Sequence, residues 1–359
     1  MNDRLLSLGF SEEIIQESVQ YKELFPGRVI AQYKGLYRVA TENSEMAAEI
    51  SGKFRHLAAA LSDYPAVGDF VMLDRVNNLS GNAIIHHVLA RKSVFIRRAA
   101  GTANDVQTVA ANIDIVFICM SLNKDFNLRR LERYLSITWD SGATPVIVLT
   151  KSDLCGEIAL KLSEIQVIAA GVDIVTTSSI VADGYKPIIK YLAPGKTVAF
   201  IGSSGVGKST LINQLIGREL IETKETGKDD KGRHATTRRE LMIIPAGGAV
   251  IDTPGMRELG IESANFTKTF ADINELARKC KFSNCQHINE PNCAVRKAVE
   301  DGLITEGRLL SYQKLKKEAK YEDLNFKQIE KEKINTMFAD VGGIRNARAL
   351  IKSKSRKQQ

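Results

Sequence analysis

No run of apolar residues in this chain of 359 approaches the ~20 needed to cross a bilayer, which argues against a membrane-spanning role and against a membrane partner. The N-terminus reads MNDRLLSLGFSEEIIQE, with Glu12, Glu13 and Glu17 interrupting it, so neither a signal peptide nor an Arg-rich transit peptide is expected. Cysteine is scarce: there are five, and three of them (Cys280, Cys285 and Cys293) fall within 14 residues, with His287 among them. An extracellular disulfide framework does not look like this. A metal site in a reducing compartment fits better, and a cytoplasmic location is expected. Cys119 and Cys155 read as core or surface thiols. Internal repeats are also absent.

What is present is ordinary globular composition, 44% hydrophobic and 26% charged, with length enough for two or three domains. The formal net charge of +8 is uneven. Residues 311–359 hold 13 Lys or Arg against 6 Asp or Glu, a net of +7, so the remainder is almost neutral. A solvated helical tail and a tail that meets phosphate are equally compatible with that run.

Residues 1–25 read as a short amphipathic helical extension. From Pro26 to about Arg98 short β-like runs alternate with Gly, Asn and Asp, as in Arg28–Gln32, Leu36–Ala40, Asp69–Asp74 and Ala83–Leu89. A small antiparallel barrel, with an OB-type fold as one option, is the natural expectation. From about Asn112 the pattern becomes α/β. Strands are expected at Asp114–Met120, Pro145–Leu149, Val172–Thr176 and Thr197–Ile201, and helices at Leu128–Trp139, Glu157–Ala170 and Lys208–Ile216. Such alternation argues for a parallel sheet covered on both faces. After Gly255 the chain turns helical and polar.

Residues 202–209 read G-S-S-G-V-G-K-S, between an expected strand and an expected helix. Glycines 202, 205 and 207 let several N–H groups point inward, and the helix N-terminus adds partial positive charge there. Lys208 can reach the β- and γ-phosphates, and Ser209 can ligate Mg²⁺. Gly202, Ser203, Ser204, Gly205, Val206, Gly207, Lys208, Ser209 and Thr210 therefore form the candidate phosphate site. Thr150, Lys151, Ser152 and Asp153 read T-K-S-D directly after a buried strand. Asp153 can accept from guanine N1–H and the exocyclic amine. Adenine has no such donors, and discrimination on that basis approaches ~10⁴-fold. Alone, a helix-capping turn explains this tetrapeptide as well. Ser178 and Ser179 close the next strand and could contact the guanine oxygen. D-T-P-G at 252–255 places Asp252 to hold Mg²⁺ and Gly255 N–H to meet a γ-phosphate. Thr236 or Thr237, in the polar loop from about Arg218 to Arg239, could also ligate Mg²⁺. GTP, GDP and Mg²⁺ are the expected ligands.

The order of these pieces is inverted. In an ordinary GTPase the phosphate loop comes first and the base-reading loops last, whereas here residues 150–153 and 178–179 precede 202–209, 236–237 and 252–255. Circular permutation is the simplest account, because domain termini usually lie close together at the surface. Met256 stands where Ras-like proteins carry a water-orienting Gln, so either hydrolysis is slow or another group, for which His234 is the candidate, orients the water. Further on, C-x₄-C-x-H-x₅-C at Cys280, Cys285, His287 and Cys293 is a closed set suited to one structural Zn²⁺.

These residues together resemble the ribosome small-subunit-dependent GTPase A family over roughly residues 26–320. The resemblance includes Gly27–Val29, Gly52–Arg55, Val67–Asp69 and Arg91–Ser93, then Asn112, Asp114, T-K-S-D, G-S-S-G-V-G-K-S-T, G-R-H-A-T-T at 232–237, D-T-P-G and the Cys/His spacing. It implies an OB-type barrel over 26–98, a circularly permuted α/β P-loop GTPase domain over 99–262 and a small α-helical zinc-binding domain over 263–320, with a basic tail over 321–359. It also implies a role in late maturation of the small ribosomal subunit, binding its rRNA, with GTP hydrolysis stimulated by that subunit and His234 catalytic. A monomer is expected. Thr150 departs from the usual Asn of that family, and Ala235 from a Thr. Two other readings stay open: a GTP-binding rRNA checkpoint with negligible turnover, which Met256 mildly favours, and a P-loop kinase, which leaves T-K-S-D unexplained.

Overall fold

The computed structural model describes residues 3–77, 81–98, 106–123, 125–218, 240–245, 247–252 and 269–322. Two short helices open the chain, α1 (Asp3–Ser7) and α2 (Glu12–Val19). The Ser11 hydroxyl caps α2 by accepting the Ile14 N–H. Leu5, Leu8 and Phe10 are buried, and the Phe10 ring meets Phe70 edge-on with centroids 4.7 Å apart. The N-terminal segment is therefore packed into the domain that follows it.

Five strands build that domain: β1 (Phe25–Gln32), β2 (Tyr37–Ala40), β3 (Glu45–Ile50), β4 (Phe70–Leu73) and β5 (Ala83–Val88). They pair in the order β1-β2-β3-β5-β4, and β4 returns to β1. Every pairing is antiparallel except β3 with β5. Helix α3 (Gly52–Leu57), capped by Ser51, follows β3. This closed five-stranded barrel has the OB-type arrangement. Val29, Val39, Met46, Val71, Leu73 and Ile85 fill its interior, each 2% exposed or less. Strand β3 was not anticipated from the sequence, because its Glu45-Met-Ala-Ala-Glu-Ile50 run is poor in β-branched residues.

A two-stranded ribbon follows, β6 (Val94–Arg98) with β7 (Val106–Ala111). The expected boundary between residues 98 and 99 falls between its two strands. The α/β portion then runs β8 (Ile115–Ser121), α4 (Leu128–Ser141), β9 (Thr144–Thr150), α5 (Ile158–Ile168), β10 (Asp173–Thr176), β11 (Thr197–Ile201), α6 (Lys208–Ile216), β12 (Glu240–Ile243) and β13 (Ala249–Asp252). Its sheet order is β10-β9-β8-β11-β13-β12, parallel throughout except for β12. Alternate residues of each strand serve opposite faces. Ile118, Met120, Ile147 and Leu149 pack with Leu131, Leu135 and Ile165. Phe117, Cys119, Val146, Val148 and Phe200 pack with Leu211 and Leu215 on the other side. Burial on both faces is why these strands read as unbroken apolar runs.

The two sheets are one. Edge strand β12 pairs with β1 at Ala31 and Glu240, making a continuous sheet of 11 strands. Beside this seam Arg28 is fully buried. Its Nε donates to Gly68 O (3.2 Å) and its Nη2 to Asn112 O (3.3 Å), while Nη1 donates to Leu8 O. The guanidinium thus ties the N-terminal segment, the barrel and the strand leading into the α/β sheet, and it lies 4.7 Å from the Phe70 ring centroid. Burial pulls its pKa down to about 10, against the opposing pull of Asp114 and Asp69. The chain closes with α7 (Ala271–Ala277), α8 (Ala294–Glu300) and α9 (Glu306–Glu322). From residue 323 on, the expected basic tail lies outside the described residues.

Replacing Arg28 with Met removes three donors from buried carbonyls, so urea unfolding should show a loss of about 2–4 kcal/mol. A change under ~0.5 kcal/mol would mean that the seam does not depend on this side chain.

Candidate functional site

Strand β11 ends at Ile201, and the phosphate loop begins with Gly202 at φ +143°. A Cβ there would sit 2.4 Å from the Cys119 carbonyl oxygen of β8, so only glycine lets the two strands run side by side into the loop. Val206, 1% exposed, anchors the loop in the core below. Gly207 caps α6 without a side-chain bond, leaving the first-turn N–H groups of the helix free of a side-chain acceptor. Lys208 is buried, and its ammonium donates to Gly202 O (2.7 Å) and Ser203 O (2.5 Å). The loop thus holds one ammonium at the N-terminus of α6, an arrangement suited to a polyphosphate. Beneath it, burial pushes the Cys119 thiol up to about 12, against the charge of Lys208, so Cys119 is an inert core residue.

The T-K-S-D segment is placed by β9, whose last residue is Thr150. The Thr150 hydroxyl, 4% exposed, donates to the Val206 carbonyl at 2.6 Å. Lys151 adopts a left-handed backbone (φ +54°), and its Nζ donates to Gly205 O at 2.9 Å. Two consecutive residues of the base-reading loop are therefore bonded directly to the phosphate loop. A short 3₁₀ turn, Ser152–Leu154, then presents Asp153. Its Oδ1 accepts from the Ser178 hydroxyl at 2.5 Å. Ser152 N–H donates to Thr177 O and Thr177 N–H to Leu149 O, fixing the β10 end against the same turn. Ser179 lies exposed beside Ser178. Thr150 in place of Asn is accommodated, because the role required of the side chain is a donor to a phosphate-loop carbonyl, and a hydroxyl supplies it.

Asp252 ends β13, one residue beyond the Ala199–Ile251 pair, at the same sheet edge as Gly202. Ser209 and Thr210 are half-buried in the first turn of α6. His234, Thr236, Thr237, Gly255 and Met256 lie outside the described residues. Two residues were not legible in the sequence: Arg130, whose Nη1 donates to the Ser203 hydroxyl of the phosphate loop, and Tyr134, one turn further along α4, whose pKa burial pushes up. They lie some 70 residues upstream of the loop (|i−j| = 73 for Arg130) and carry no motif.

Away from this edge, Cys280, Cys285, His287 and Cys293 converge, with all four ligand atoms within 4.8 Å of one another. Cys280 Sγ is 3.9 Å from Cys293 Sγ and 3.6 Å from His287 Nδ1, which is 3.4 Å from Cys293 Sγ. Zinc–sulfur bonds of ~2.3 Å in a tetrahedron put neighbouring sulfurs ~3.8 Å apart, so this cluster is compatible with zinc. His287 reaches in on a left-handed backbone (φ +59°), and Cys293 Sγ accepts the Arg296 N–H at the start of α8.

A family model described as RsgA GTPase matches residues 88–262. The chain is 48% identical over 339 residues to Small ribosomal subunit biogenesis GTPase RsgA 2 of Lactiplantibacillus plantarum, covering 94% of this chain and 96% of that protein. The chain belongs to the RsgA GTPase family. Another similar relative is Small ribosomal subunit biogenesis GTPase RsgA of Methanosarcina acetivorans, 40% identical over 93% of this chain and 91% of that one. Among solved structures, YjeQ from Thermotoga maritima is 29% identical, with a TM-score of 0.60 over 82% of this chain and 98% of that one. YloQ, described as a circularly permuted GTPase, is 27% identical with a TM-score of 0.58, covering 84% and 97%. The inverted motif order is that of a circularly permuted, GTP-hydrolysing P-loop enzyme of the RsgA type.

Thr150→Val deletes the donor to Val206 O and strands a buried carbonyl, which should weaken GTP binding about tenfold. Thr150→Asn keeps a donor and should stay within about threefold of the wild type by the same fluorescence titration. Equal affinity for both variants would show that the two loops do not depend on this bond.

Proposed function

We propose that this GTPase binds the small ribosomal subunit and acts in its late maturation, with hydrolysis stimulated by the subunit. The observation that supports the GTP reading is the direct bonding of the T-K-S-D turn to the phosphate loop. The names of the relatives supply the subunit as partner. Asp153 reads the guanine edge, Lys151 packs its stem along the base, and Ser178 holds the Asp153 carboxylate in position, with Ser152 and Ser179 flanking. Residues 202–210 cradle the phosphates. Ser209, Asp252 and Thr237 would hold Mg²⁺, which when bound neutralises charge on the β- and γ-phosphate oxygens. Gly255 N–H would serve the γ-phosphate, and His234 would orient the attacking water in place of a Gln after D-T-P-G.

One Zn²⁺ held by Cys280, Cys285, His287 and Cys293 would fix the loop between α7 and α8. The domains are taken as residues 1–25, 26–98, 99–262, 263–320 and 321–359. The barrel, the zinc module and the basic tail meet rRNA mainly through phosphate and shape. The chain works as a monomer in the cytoplasm; among the described residues no helix is long and apolar enough to cross a membrane. Met256 favours one second reading, a checkpoint that binds GTP and scarcely turns it over.

Phosphate release measured with and without purified small subunits separates the two readings. Stimulation of about tenfold or more is expected, within the reach of completing a water-orienting constellation. A flat response leaves only the checkpoint. His234→Ala should lower turnover by about 10²-fold with GTP affinity nearly unchanged. Removing zinc by chelation should melt the segment around α8, seen as lost helical ellipticity, because binding a structural zinc ion is itself folding free energy.

A further inference from the structure

Outside the nucleotide site, one buried ionic cluster joins the C-terminal helices to the α/β sheet. Arg308, in the first turn of α9, is 4% exposed. Its Nη1 donates to Glu132 Oε1 of α4 at 2.9 Å. Its Nε and Nη2 grip both carboxylate oxygens of Asp272 in α7, at 2.7 and 2.9 Å. Nη2 also donates to Thr269 O at 2.8 Å. The guanidinium lies 5.0 Å from the Phe270 ring centroid. Glu132 is fully buried, and its other oxygen accepts from Arg129 Nη1 at 3.0 Å. Gly307 lies against the end of the Arg129 side chain, so α9 and α4 meet here through that guanidinium.

The same turns of α4 face the phosphate loop. Arg130 donates to the Ser203 hydroxyl, with Tyr134 one turn further along the helix, and Arg130 is steadied by both oxygens of Asp125, at 2.9 and 2.8 Å. Glu132 sits between them in sequence and points to the other side. Helix α4 is therefore held at one face by the zinc module and at the other by the loop that cradles the phosphates. Arg308 bonds α4, α7 and the Thr269 carbonyl together.

We propose that Arg308 is a positioning residue for GTP hydrolysis. By fixing Glu132 it sets the rotation of α4, and through Arg130 it sets the Ser203 limb of the phosphate loop. A displacement of the zinc module then changes turnover without any of its atoms touching the nucleotide. Reciprocally, nucleotide binding changes how firmly the module is seated. The inference rests on the GTPase activity and not on the identity of the macromolecular partner, so it is tested on the full chain alone.

Arg308→Lys keeps the charge but cannot serve Glu132, Asp272 and the Thr269 carbonyl together. Because Arg308 leaves Glu132 stranded when its charge is removed, the paired Arg308→Gln with Glu132→Gln is measured beside it, removing both charges at similar volume. In both, kcat should fall about tenfold while KM for GTP moves less than about threefold, the range expected along a coupling network. Trp139, the only tryptophan in the chain, lies on α4 and reports on the helix directly. GTP should shift its emission in the wild type, and the shift should shrink in both variants. Adding Arg308→Lys to Ser203→Ala should cost little beyond Ser203→Ala alone, since both act through one contact. Wild-type kcat in Arg308→Lys, an undiminished Trp139 response, or fully additive losses would each overturn the assignment, and the additivity measurement decides it even where the paired variant does not fold.

Discussion

The site depends on two hydrogen bonds that cross from one loop to another: Thr150 Oγ1 to Val206 O and Lys151 Nζ to Gly205 O. In a chain whose motifs run in reverse order, nothing in local sequence brings the base-reading turn to the phosphate loop; the partners are 56 and 54 residues apart. Strand β8 does the first part of the work, pairing with β9 on one side and β11 on the other, so that both loops leave the same sheet edge. The two bonds do the rest by setting the loops at contact distance. Loops held together in this way before any ligand arrives need little rearrangement on binding, so less of the binding energy is lost.

The flanking modules are joined to this edge by one continuous apolar core and by buried polar side chains that cross it. Arg28 joins the barrel to the strand entering the sheet, and Arg308 joins the C-terminal helices to α4. Each guanidinium is buried, and each is satisfied by several acceptors in a fixed geometry that a planar fork suits and an ammonium does not. Buried charge of this kind adds little net stability, but it defines orientation, since a small rotation leaves donors unmatched. The molecule therefore has two junctions at which relative position is set by direction-dependent contacts.

Much of this was legible in the sequence. Gly202–Ser209 and T-K-S-D carry their chemistry in short windows, and burial on both faces made the strands at 115–121, 144–150 and 197–201 readable as apolar runs. The Cys/His spacing was equally direct. What escaped depends on partners distant in the chain. Strand β3 exists because it finds β2 and β5, not because Glu45–Ile50 favours extension. Strand β12 is short and gains its place between β13 and β1. Arg130, Tyr134 and Glu132 look like the polar positions of any amphipathic helix until the fold shows what each side faces. Thr150 reads only as a departure from the usual Asn, and the bond from its hydroxyl to the Val206 carbonyl shows only in the fold.

The pairing of β12 with β1 has a consequence for how the chain is made. An unpaired edge strand is a template on which other chains can aggregate. Here the N-terminal barrel emerges from synthesis, and can close, long before residue 240 is added, because domains generally fold as units from the N-terminus. By the time the last strand of the α/β sheet is released, a finished surface is waiting to cap it. The barrel thus acts as a built-in guard for the slowest-completed edge of its own polypeptide.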